Sequence, residues 1–514
     1  MIRQITKFIA AFLALVICAS AAACSAAPGD ALNGDVPPYM EGMKGDSSYN
    51  EDISGESYTE IVENPFVNTL EKPDSYFSID VNTASYPNHR RYIEQGYIDF
   101  DKDAVRGEEI LNYFDYDYKS PDDGSVLSLT SSVFDTPYNQ NTKLMTVGLA
   151  AQEIEFEKIK NNIVFLIDVS GSMNSYNKLP LVQQSFSLLT DNLNPEDRVS
   201  IVTYASGDRV VLEGAYGYEK DKIIDAIMNL KSGGSTAGSK GINAAYELAA
   251  QYFIQGGNNR VILATDGDFN VGVTGTGALE ALIEQMAKTG VYFSVFGFGS
   301  GNIKADKMEA LALRGNGTWG YIDSIKEARR MLVELIGGTL VTVAKDVKAG
   351  ISFNSEYVES YRLIGYENKK LSQDQFEDPS ADAGEIGSGH KVTVVYEVVL
   401  TDKALEEGKS FADVKVRYKP TENVGGDAVT EQELMLSVGV DKYHEELSDN
   451  DKFISSVVEF ALILRESQYK GDASISAIIE RLESLDLANE EDKAEFRELV
   501  KLYFALYSAK EQGQ

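Results

Sequence analysis

The stretch "FLIDVSGSM" (residues 165–173) runs an apolar segment directly into an aspartate and two serines. It lies in the first of four short, almost continuously apolar runs, which are "NNIVFLIDV", "RVSIVTYA", "RVILATDG" and "VYFSVFGFG". Such runs are typical of parallel strands that are covered on both faces. Amphipathic segments such as "KLPLVQQSFSLLTDNL" and "TGALEALIEQMAKTG" separate them. The alternation predicts an α/β domain with a doubly wound parallel sheet between about residues 158 and 340.

The segments on either side of this domain have a different pattern. "VLSLTSSVF" and "KLMTVGLA" precede it, and "HKVTVVYEVVL", "FADVKVRYK" and "ELMLSVGV" follow it, with the alternation of half-buried strands. We therefore predict that the α/β domain is inserted into a β-sandwich built from residues 126–157 and 341–440. The chain ends in amphipathic helices such as "DKFISSVVEFALILRES", which we expect to pack on their own chain.

Composition and charge limit the choice of partners. The chain has 514 residues, and its 80 acidic and 47 basic residues give a net charge of −33. A nucleic-acid partner is not expected, because binding to a phosphate backbone depends on concentrated lysine and arginine.

The two cysteines lie in an N-terminal segment that has the features of a secretory signal. Arg3 and Lys7 precede the apolar run "FIAAFLALVICASAAAC", which ends at Cys24. "AAAC" resembles a bacterial lipoprotein cleavage box, so residues 1–24 are predicted to be a lipoprotein signal peptide and Cys24 the lipidated N-terminus. A plain signal-peptidase cut near "CSAA" is the alternative. Neither outcome leaves a cysteine pair for a disulfide or a thiolate metal site in the mature chain.

The pattern along the chain suggests further boundaries. Residues 25–70 are rich in Gly, Ser, Pro, Asn and acids, and are predicted to be a flexible acidic tether. The predicted units that follow are an N-terminal α+β flanking domain at 71–157, the α/β domain at 158–340, the β-sandwich region at 341–440 and the C-terminal helices at 441–514. In the flanking domain, Thr83 or Ser85 is expected to cap a helix that ends near Gly96, and a second helix is expected from Ala104 to Phe114.

Three enzymatic chemistries place a reactive group where Asp168 lies, and the sequence argues against each. A phosphoryl-transfer aspartate of the haloacid dehalogenase kind needs a second acid two residues later, where this chain has Ser170. A nucleophilic serine needs a Gly-x-Ser-x-Gly turn and a histidine, and the only histidines are His89, His390 and His444, all outside the α/β region. A P-loop needs Gly-Lys-Ser/Thr directly after the strand, and this strand is followed by "VSGSM" instead. We therefore predict that the protein is not an enzyme.

A site for a hard cation accounts better for these residues. Asp168, Ser170 and Ser172 alternate along a loop at the carboxyl end of a strand, where ligands of open α/β sheets bind. Thr236 in "SGGSTAGSKG" and Asp266 in "LATDGD" occupy comparable places on other elements. Oxygen ligands with retained waters are what Mg²⁺ requires, so these five residues are predicted to be metal ligands.

Two neighbouring patterns are not predicted to bind metal. "DGDFNVG" begins like an EF-hand loop with Asp266, Asp268 and Asn270, but its glycine comes one residue late and the twelfth position is a glycine. "SIDVNTAS" places Asp80 and Asn82 at alternate positions, which a strand end before a capped helix explains.

Taken together, these residues resemble the von Willebrand factor A (VWA) domain, whose metal-ion-dependent adhesion site (MIDAS) is Asp-x-Ser-x-Ser, then a Thr, then an Asp. The resemblance covers about residues 158–340. It implies that Ser170, Ser172 and Thr236 are direct oxygen ligands, and that Asp168 and Asp266 hold the ion directly or through water. It also implies Mg²⁺, or Mn²⁺ or Ca²⁺, as the ion, and an acidic group of a partner protein as the group that completes its coordination.

The flanking segments widen the resemblance to nearly the whole mature chain. "FSIDVNTASYPNHRRYI", "GEEILNYFDYDY", "YRLIGYENK" and "LRESQYKGD" are similar to a bacterial family of surface lipoproteins that carry a VWA domain between two further domains. The resemblance implies an extracytoplasmic, membrane-anchored protein that mediates metal-dependent protein binding or adhesion. The alternative is a structural scaffold of the cell envelope in which the metal only stabilises the fold.

Overall fold

The computed structural model describes residues 55–79, 82–154, 159–205, 208–234, 239–267, 276–335, 339–406, 409–421 and 430–512. The predicted signal peptide and Cys24 lie outside the described residues, as do the predicted ligand Thr236 and the loop residues Asp80, Asp268 and Asn270.

The secondary structure follows the predicted alternation. The strands are β1 (Val67–Asn68), β2 (Asp74–Ser78), β3 (Leu127–Asp135), β4 (Lys143–Ala151), β5 (Asn161–Asp168), β6 (Arg198–Tyr204), β7 (Asp208–Tyr216), β8 (Asn258–Thr265), β9 (Val291–Phe298), β10 (Trp319–Ile322), β11 (Thr342–Phe353), β12 (Val358–Ile364), β13 (Gly384–Gly387), β14 (Lys391–Leu400), β15 (Ser410–Pro420), β16 (Gln432–Gly439) and β17 (Tyr443–His444). The α-helices are α1 (Ser85–Glu94), α2 (Gly107–Leu111), α3 (Leu179–Asp191), α4 (Lys220–Met228), α5 (Ser239–Gln251), α6 (Thr276–Ala287), α7 (Ala305–Arg314), α8 (Ile325–Arg329), α9 (Gln373–Glu377), α10 (Asp449–Leu464), α11 (Ile475–Glu483) and α12 (Glu491–Glu511).

The central domain is an open sheet with the strand order β10-β9-β8-β5-β6-β7. β5 lies in its middle and pairs in parallel with both β6 and β8. All eight residues of β5 are buried, which explains its continuous apolar sequence. Separate hydrophobic clusters cover the two faces of the sheet. The prediction of a doubly wound α/β domain is confirmed, and β7 is added to it as an antiparallel edge strand.

The α/β domain interrupts a β-sandwich, as predicted. β4, which precedes the domain, pairs antiparallel with β14, which follows it. One sheet has the order β1-β12-β14-β4-β3-β17, and the other contains β13-β11-β15-β16 with β2 beside β11. Their inner faces share one hydrophobic core, in which Val147 and Tyr396 of the first sheet join Ile351 and Val414 of the second. The two chain segments on either side of the α/β domain therefore fold together.

Helices from both ends of the chain cover the outer face of the first sheet. Phe453 of α10 and Phe496 of α12 pack in a cluster with Tyr86 of α1 and with Leu144 and Val395 of the sheet. The expectation that the terminal helices pack on their own chain agrees with this cluster. No helix in the described part of the chain combines the length and the apolarity that a membrane crossing needs.

The predicted tether extends too far toward the C-terminus. Within 25–70, Val67 of β1 pairs with Tyr361 of β12, and the buried Asn64 amide donates to the carbonyls of Leu363 and Gly365 at 3.1 and 2.8 Å. These contacts hold the end of the segment on the sandwich. Polar composition alone did not reveal this, because a buried asparagine and a two-residue strand leave no apolar pattern.

Two local predictions for the N-terminal flank are wrong. Neither Thr83 nor Ser85 caps α1, whose N-cap residue is Ala84 without a side-chain hydrogen bond. The Ser85 hydroxyl instead donates to the Ala104 carbonyl at 2.9 Å. The expected helix from Ala104 to Phe114 is the shorter α2, which follows a 3₁₀ turn. Tertiary contacts of Ser85 replace the local cap that its position in the sequence suggested.

Candidate metal site

The first part of the site is the end of the central strand. Asp168 is the last residue of β5 and is fully buried. Its Oδ1 accepts a hydrogen bond from the Ser170 amide at 2.8 Å, and its Oδ2 accepts one from the Tyr204 hydroxyl at 3.2 Å. Two neighbours therefore hold the carboxylate in one orientation.

The two serines follow on a short turn. Ser170 is 2% exposed and precedes a 3₁₀ turn at Gly171–Asn174, whereas Ser172 is exposed. Their hydroxyl oxygens lie 3.0 Å apart. The structure thus brings Asp168, Ser170 and Ser172 together, with one hydroxyl below the surface and one on it.

The segment that leads into Thr236 runs beside this turn. The Gly171 amide donates to the Gly234 carbonyl at 3.0 Å, and the Gly233 amide donates to the Val169 carbonyl at 2.7 Å. Thr236 itself lies outside the described residues, so its role as a ligand stays a prediction.

Asp266 comes from the neighbouring strand. It directly follows β8, which pairs in parallel with β5, and it is 1% exposed. The Lys178 ammonium group donates to Asp266 Oδ2 at 2.7 Å. Between the two acids, the Thr265 hydroxyl lies 3.5 Å from Asp168 Oδ2. Both aspartates therefore lie at the same edge of the sheet, as the sequence predicted from their places after parallel strands.

Burial and charge combine at Asp168. Burial raises its pKa to about 6, and the nearby charge of Asp266 acts in the same direction. Hydrogen bonds from Ser170 and Tyr204 oppose these effects because they stabilise the ionised form. Two buried carboxylates at one sheet edge repel each other, and a bound cation would remove that repulsion.

The chemistry of the donors indicates which ion fits. The described donors are the carboxylates of Asp168 and Asp266 and the hydroxyls of Ser170 and Ser172, all of them oxygen. The described ranges contain no cluster of three or more His, Cys, Asp or Glu side chains placed to hold a metal. The described part of this site has only two carboxylates and relies on hydroxyl groups for its other donors. The site therefore fits a hard cation that keeps several waters, such as Mg²⁺, better than an ion that needs nitrogen or sulfur ligands.

Two residues of this region were not predicted from the sequence. Lys178 contacts Asp266 across the start of α3, and Tyr204 supports Asp168 from the end of β6. Both act through the tertiary arrangement of separate elements, and no spacing rule marks them. Asn82, which the sequence assigned to a strand end, donates to Glu309 of α7 at 3.0 Å.

Comparisons with known families match three parts of the chain. Residues 162–333 match the von Willebrand factor type A domain, residues 52–146 match a family described as von Willebrand factor, and residues 338–506 match the C-terminal region of the uncharacterized protein YfbK. Together with the doubly wound sheet, the first match defines a protein with a VWA domain.

A relative then defines the family. The uncharacterized protein YfbK of Escherichia coli (strain K12) is 34% identical over 495 residues, which cover 91% of this chain and 84% of the relative. The chain therefore belongs to the YfbK family of VWA-domain proteins.

Solved structures show similarity at lower levels. A von Willebrand factor type A protein from Catenulispora acidiphila has 17% identity and a TM-score of 0.40, covering 75% of this chain and 87% of its own. The ArnB paralog VWA2 from Sulfolobus acidocaldarius has 16% identity and a TM-score of 0.36, covering 74% of this chain and 97% of its own. The family assignment rests on the sequence matches.

Proposed function

We propose that this protein is a membrane-anchored, extracytoplasmic VWA protein that binds a partner protein through a divalent cation at the site of Asp168. The observation that supports the proposal is the gathering of Asp168, Ser170 and Ser172 beside Asp266 at the carboxyl ends of neighbouring strands. The protein has no enzymatic role in this proposal, and assays for phosphatase and peptidase activity with Mg²⁺ are expected to give no turnover.

The predicted ligands would hold the ion in two ways. Ser170 and Ser172 would be direct oxygen ligands, with Thr236 as the further predicted one, and Asp168 and Asp266 would act directly or through water. Mg²⁺ is the expected ion, and Mn²⁺ or Ca²⁺ could replace it. When bound, the ion supplies a concentrated positive charge that can capture an acidic side chain of the partner.

The exposure of the predicted ligands increases from Asp168 to Ser172, as expected if a partner reaches the ion from the surface. Asp168 is fully buried, Ser170 is 2% exposed, and Ser172 lies on the surface. A ligand that reaches the ion would approach past Ser172.

Membrane anchoring is proposed from the N-terminal sequence. The basic start, the apolar run and the small residues before Cys24 are the features of a lipoprotein signal. The test is metabolic labelling with a radioactive fatty acid. Label on the wild type that is lost in Cys24→Ser supports lipidation, whereas an unlabelled wild type that is released from membranes supports the plain signal-peptidase cut.

A second candidate function is a structural scaffold of the envelope, in which the metal only stabilises the fold. A buried ion-pair network favours it. Arg90 of α1 pairs with Asp323 and Glu327 at the end of the VWA domain, at 2.7 and 2.9 Å, and with Glu495 of α12 at 2.8 Å. These bonds fix the VWA domain to the flanking helices, as a scaffold requires.

One experiment separates the two functions. The purified full-length protein is immobilised, surface proteins of the parent cell are passed over it with Mg²⁺ or with EDTA, and Mn²⁺ binding is measured separately. Asp168→Ala is compared with Asp402→Ala, which removes an exposed aspartate from the turn after β14. If the protein binds a partner through the metal, EDTA should release the partner from wild type. Asp168→Ala should fail to retain the partner, whereas Asp402→Ala should retain it. A scaffold predicts a lower melting temperature without metal but no release. Equal Mn²⁺ binding by Asp168→Ala and wild type would show that the site is assigned wrongly.

A further inference from the structure

Lys178 is a buried cation within the candidate metal site that the MIDAS pattern does not include. It immediately precedes α3 and is 7% exposed. Its ammonium nitrogen lies 2.7 Å from Asp266 Oδ2, and the Asp266 side chain is fully buried. A lysine seldom lies this deep unless its charge is paired, so the pair is part of how the site is built.

The lysine stem is held in a defined place. It runs over Gly299 at the end of β9, where a β-carbon would lie 2.4 Å from Lys178 Cγ and 2.6 Å from Cε. Gly299 has a φ of +79°, and its carbonyl accepts a hydrogen bond from the Tyr321 hydroxyl at 2.6 Å. The missing side chain at Gly299 therefore leaves the space through which the Lys178 stem reaches Asp266.

We propose that Lys178 is a positioning residue that sets the charge of the cation site and thereby its preference for an acidic partner. The proposal rests on the proposed function, because it assigns a role at the same site. Two carboxylates would neutralise a divalent ion completely. With the Lys178 ammonium group on Asp266, the site keeps a net positive charge, which favours capture of a carboxylate from outside.

This charge balance has a cost for metal binding. A cation beside Asp266 repels the bound ion, so the ion binds less tightly than two uncompensated carboxylates would allow. Lys178 thus weakens metal binding and strengthens carboxylate binding. A purely structural lysine would do neither, because its loss would loosen the site and weaken both.

The test uses the full-length protein in detergent with Mn²⁺ as the metal and acetate as the carboxylate. Free Mn²⁺ is followed by electron paramagnetic resonance, and acetate binding by the loss of Mn²⁺-bound water in proton relaxation. Lys178→Met is expected to bind Mn²⁺ about tenfold more tightly, and its Mn²⁺ form to bind acetate about tenfold more weakly. Lys178→Arg keeps the positive charge, so it should show neither the tighter Mn²⁺ binding nor the weaker acetate binding of Lys178→Met.

The outcomes distinguish the inference from the proposed function. If Lys178→Met weakens both affinities or changes neither, while wild type binds Mn²⁺, the inference is wrong and the proposed function stands. If wild type binds no Mn²⁺, the proposed function fails and the inference fails with it. Lys178→Gln is the second neutral variant, to be used if Lys178→Met does not show the wild-type unfolding transition without metal.

Discussion

Removal of the Arg90 guanidinium group should destabilise the VWA domain. Its Nε and Nη2 donate to the two oxygens of Asp323 at 2.9 and 2.7 Å, and Nη2 also donates to Glu327 at 2.9 Å. Nη1 donates to Glu495 at 2.8 Å. The side chains of Arg90, Asp323 and Glu327 are 3%, 5% and 0% exposed, so water screens these bonds little.

The expected cost follows from the charges that would be left behind. Arg90→Met keeps most of the apolar stem but leaves the Asp323 and Glu327 carboxylates without their main cation. Removal of one partner from a buried ion pair costs about 3–5 kcal/mol. At an m value of about 3 kcal/mol/M in urea, this corresponds to a fall of about 1–2 M in the unfolding midpoint. Arg330, which lies 3.5 Å from Glu327, should keep the loss from being larger.

The assay uses the only tryptophan of the chain. Trp319 lies in β10 and is 2% exposed, so its fluorescence reports unfolding of the VWA domain rather than of the other parts. Lys326→Met is the matched control, because Lys326 contacts the same Glu495 but is 34% exposed. Its midpoint should move by less than about 1 M, because water reaches Lys326 and screens its ion pair more than it screens those of Arg90. Equal shifts for the two variants would refute the reasoning.

Three further perturbations test other parts of the structure. Gly241→Ala places a β-carbon 2.9 Å from Tyr204 Cβ, so we expect a loss of about 1–3 kcal/mol in urea unfolding together with weaker Mn²⁺ binding, because Tyr204 supports Asp168. An unchanged Mn²⁺ affinity would show that the packing around Tyr204 does not affect metal binding at Asp168. Burial raises the pKa of Glu385 from 4.5 to about 8. The folded state therefore keeps a proton that the unfolded chain loses, so this contribution to stability is present at low pH and falls as the pH rises through 8. Glu385→Gln should flatten that decline in midpoints measured between pH 5 and 8, and an identical slope would contradict the assignment. Saturating Mg²⁺, at about 100 times its dissociation constant, should stabilise wild type by about 2.7 kcal/mol and leave Asp168→Ala unchanged in thermal unfolding.

The VWA sheet was predictable because its inner strands are buried on both faces. β5 and β8 are buried along their whole length, so their sequences are nearly continuous apolar runs. β7 belongs to the same sheet but lies at its edge, where polar residues such as Arg209 are exposed. An edge strand buries only part of its surface, so its sequence carries a weaker pattern.

The arrangement of the candidate site could be predicted only in part, for a related reason. Asp168 ends β5, and Ser170 and Ser172 follow it within four residues, so the local chain alone brings the three side chains together. Lys178 and Tyr204 reach the two aspartates from other elements. Their positions depend on how strands and helices pack, which the spacing within a motif does not encode.

Helix α1 shows most clearly why the junction between the domains was not predicted. Its sequence, "SYPNHRRYIE", contains few apolar residues, and such a helix is expected on the surface. In the structure, every residue from Ser85 to Ile93 is buried. Ion pairs bury the polar side of the helix, since Arg90 pairs with Asp323 and Glu327, and Arg91 pairs with Glu56 at 3.0 Å, while Tyr86 and Ile93 pack in the hydrophobic cluster.

These ion pairs also bear on the chain's large negative charge. With a net charge of −33, the chain has more carboxylates than cations to pair with them, yet two adjacent arginines of α1 lie buried at the junction. Their partners come from the segment before α1, from the end of the VWA domain and from α12, whereas the candidate metal site lies at the carboxyl ends of β5 and β8. The cations that hold the domains together are thus distinct from Lys178, the cation at the site.

Loss of Arg90 should therefore lower stability without changing the Mn²⁺ affinity of the folded protein, and loss of Lys178 should change that affinity. A change in Mn²⁺ affinity in Arg90→Met would instead mean that the junction and the metal site are energetically coupled.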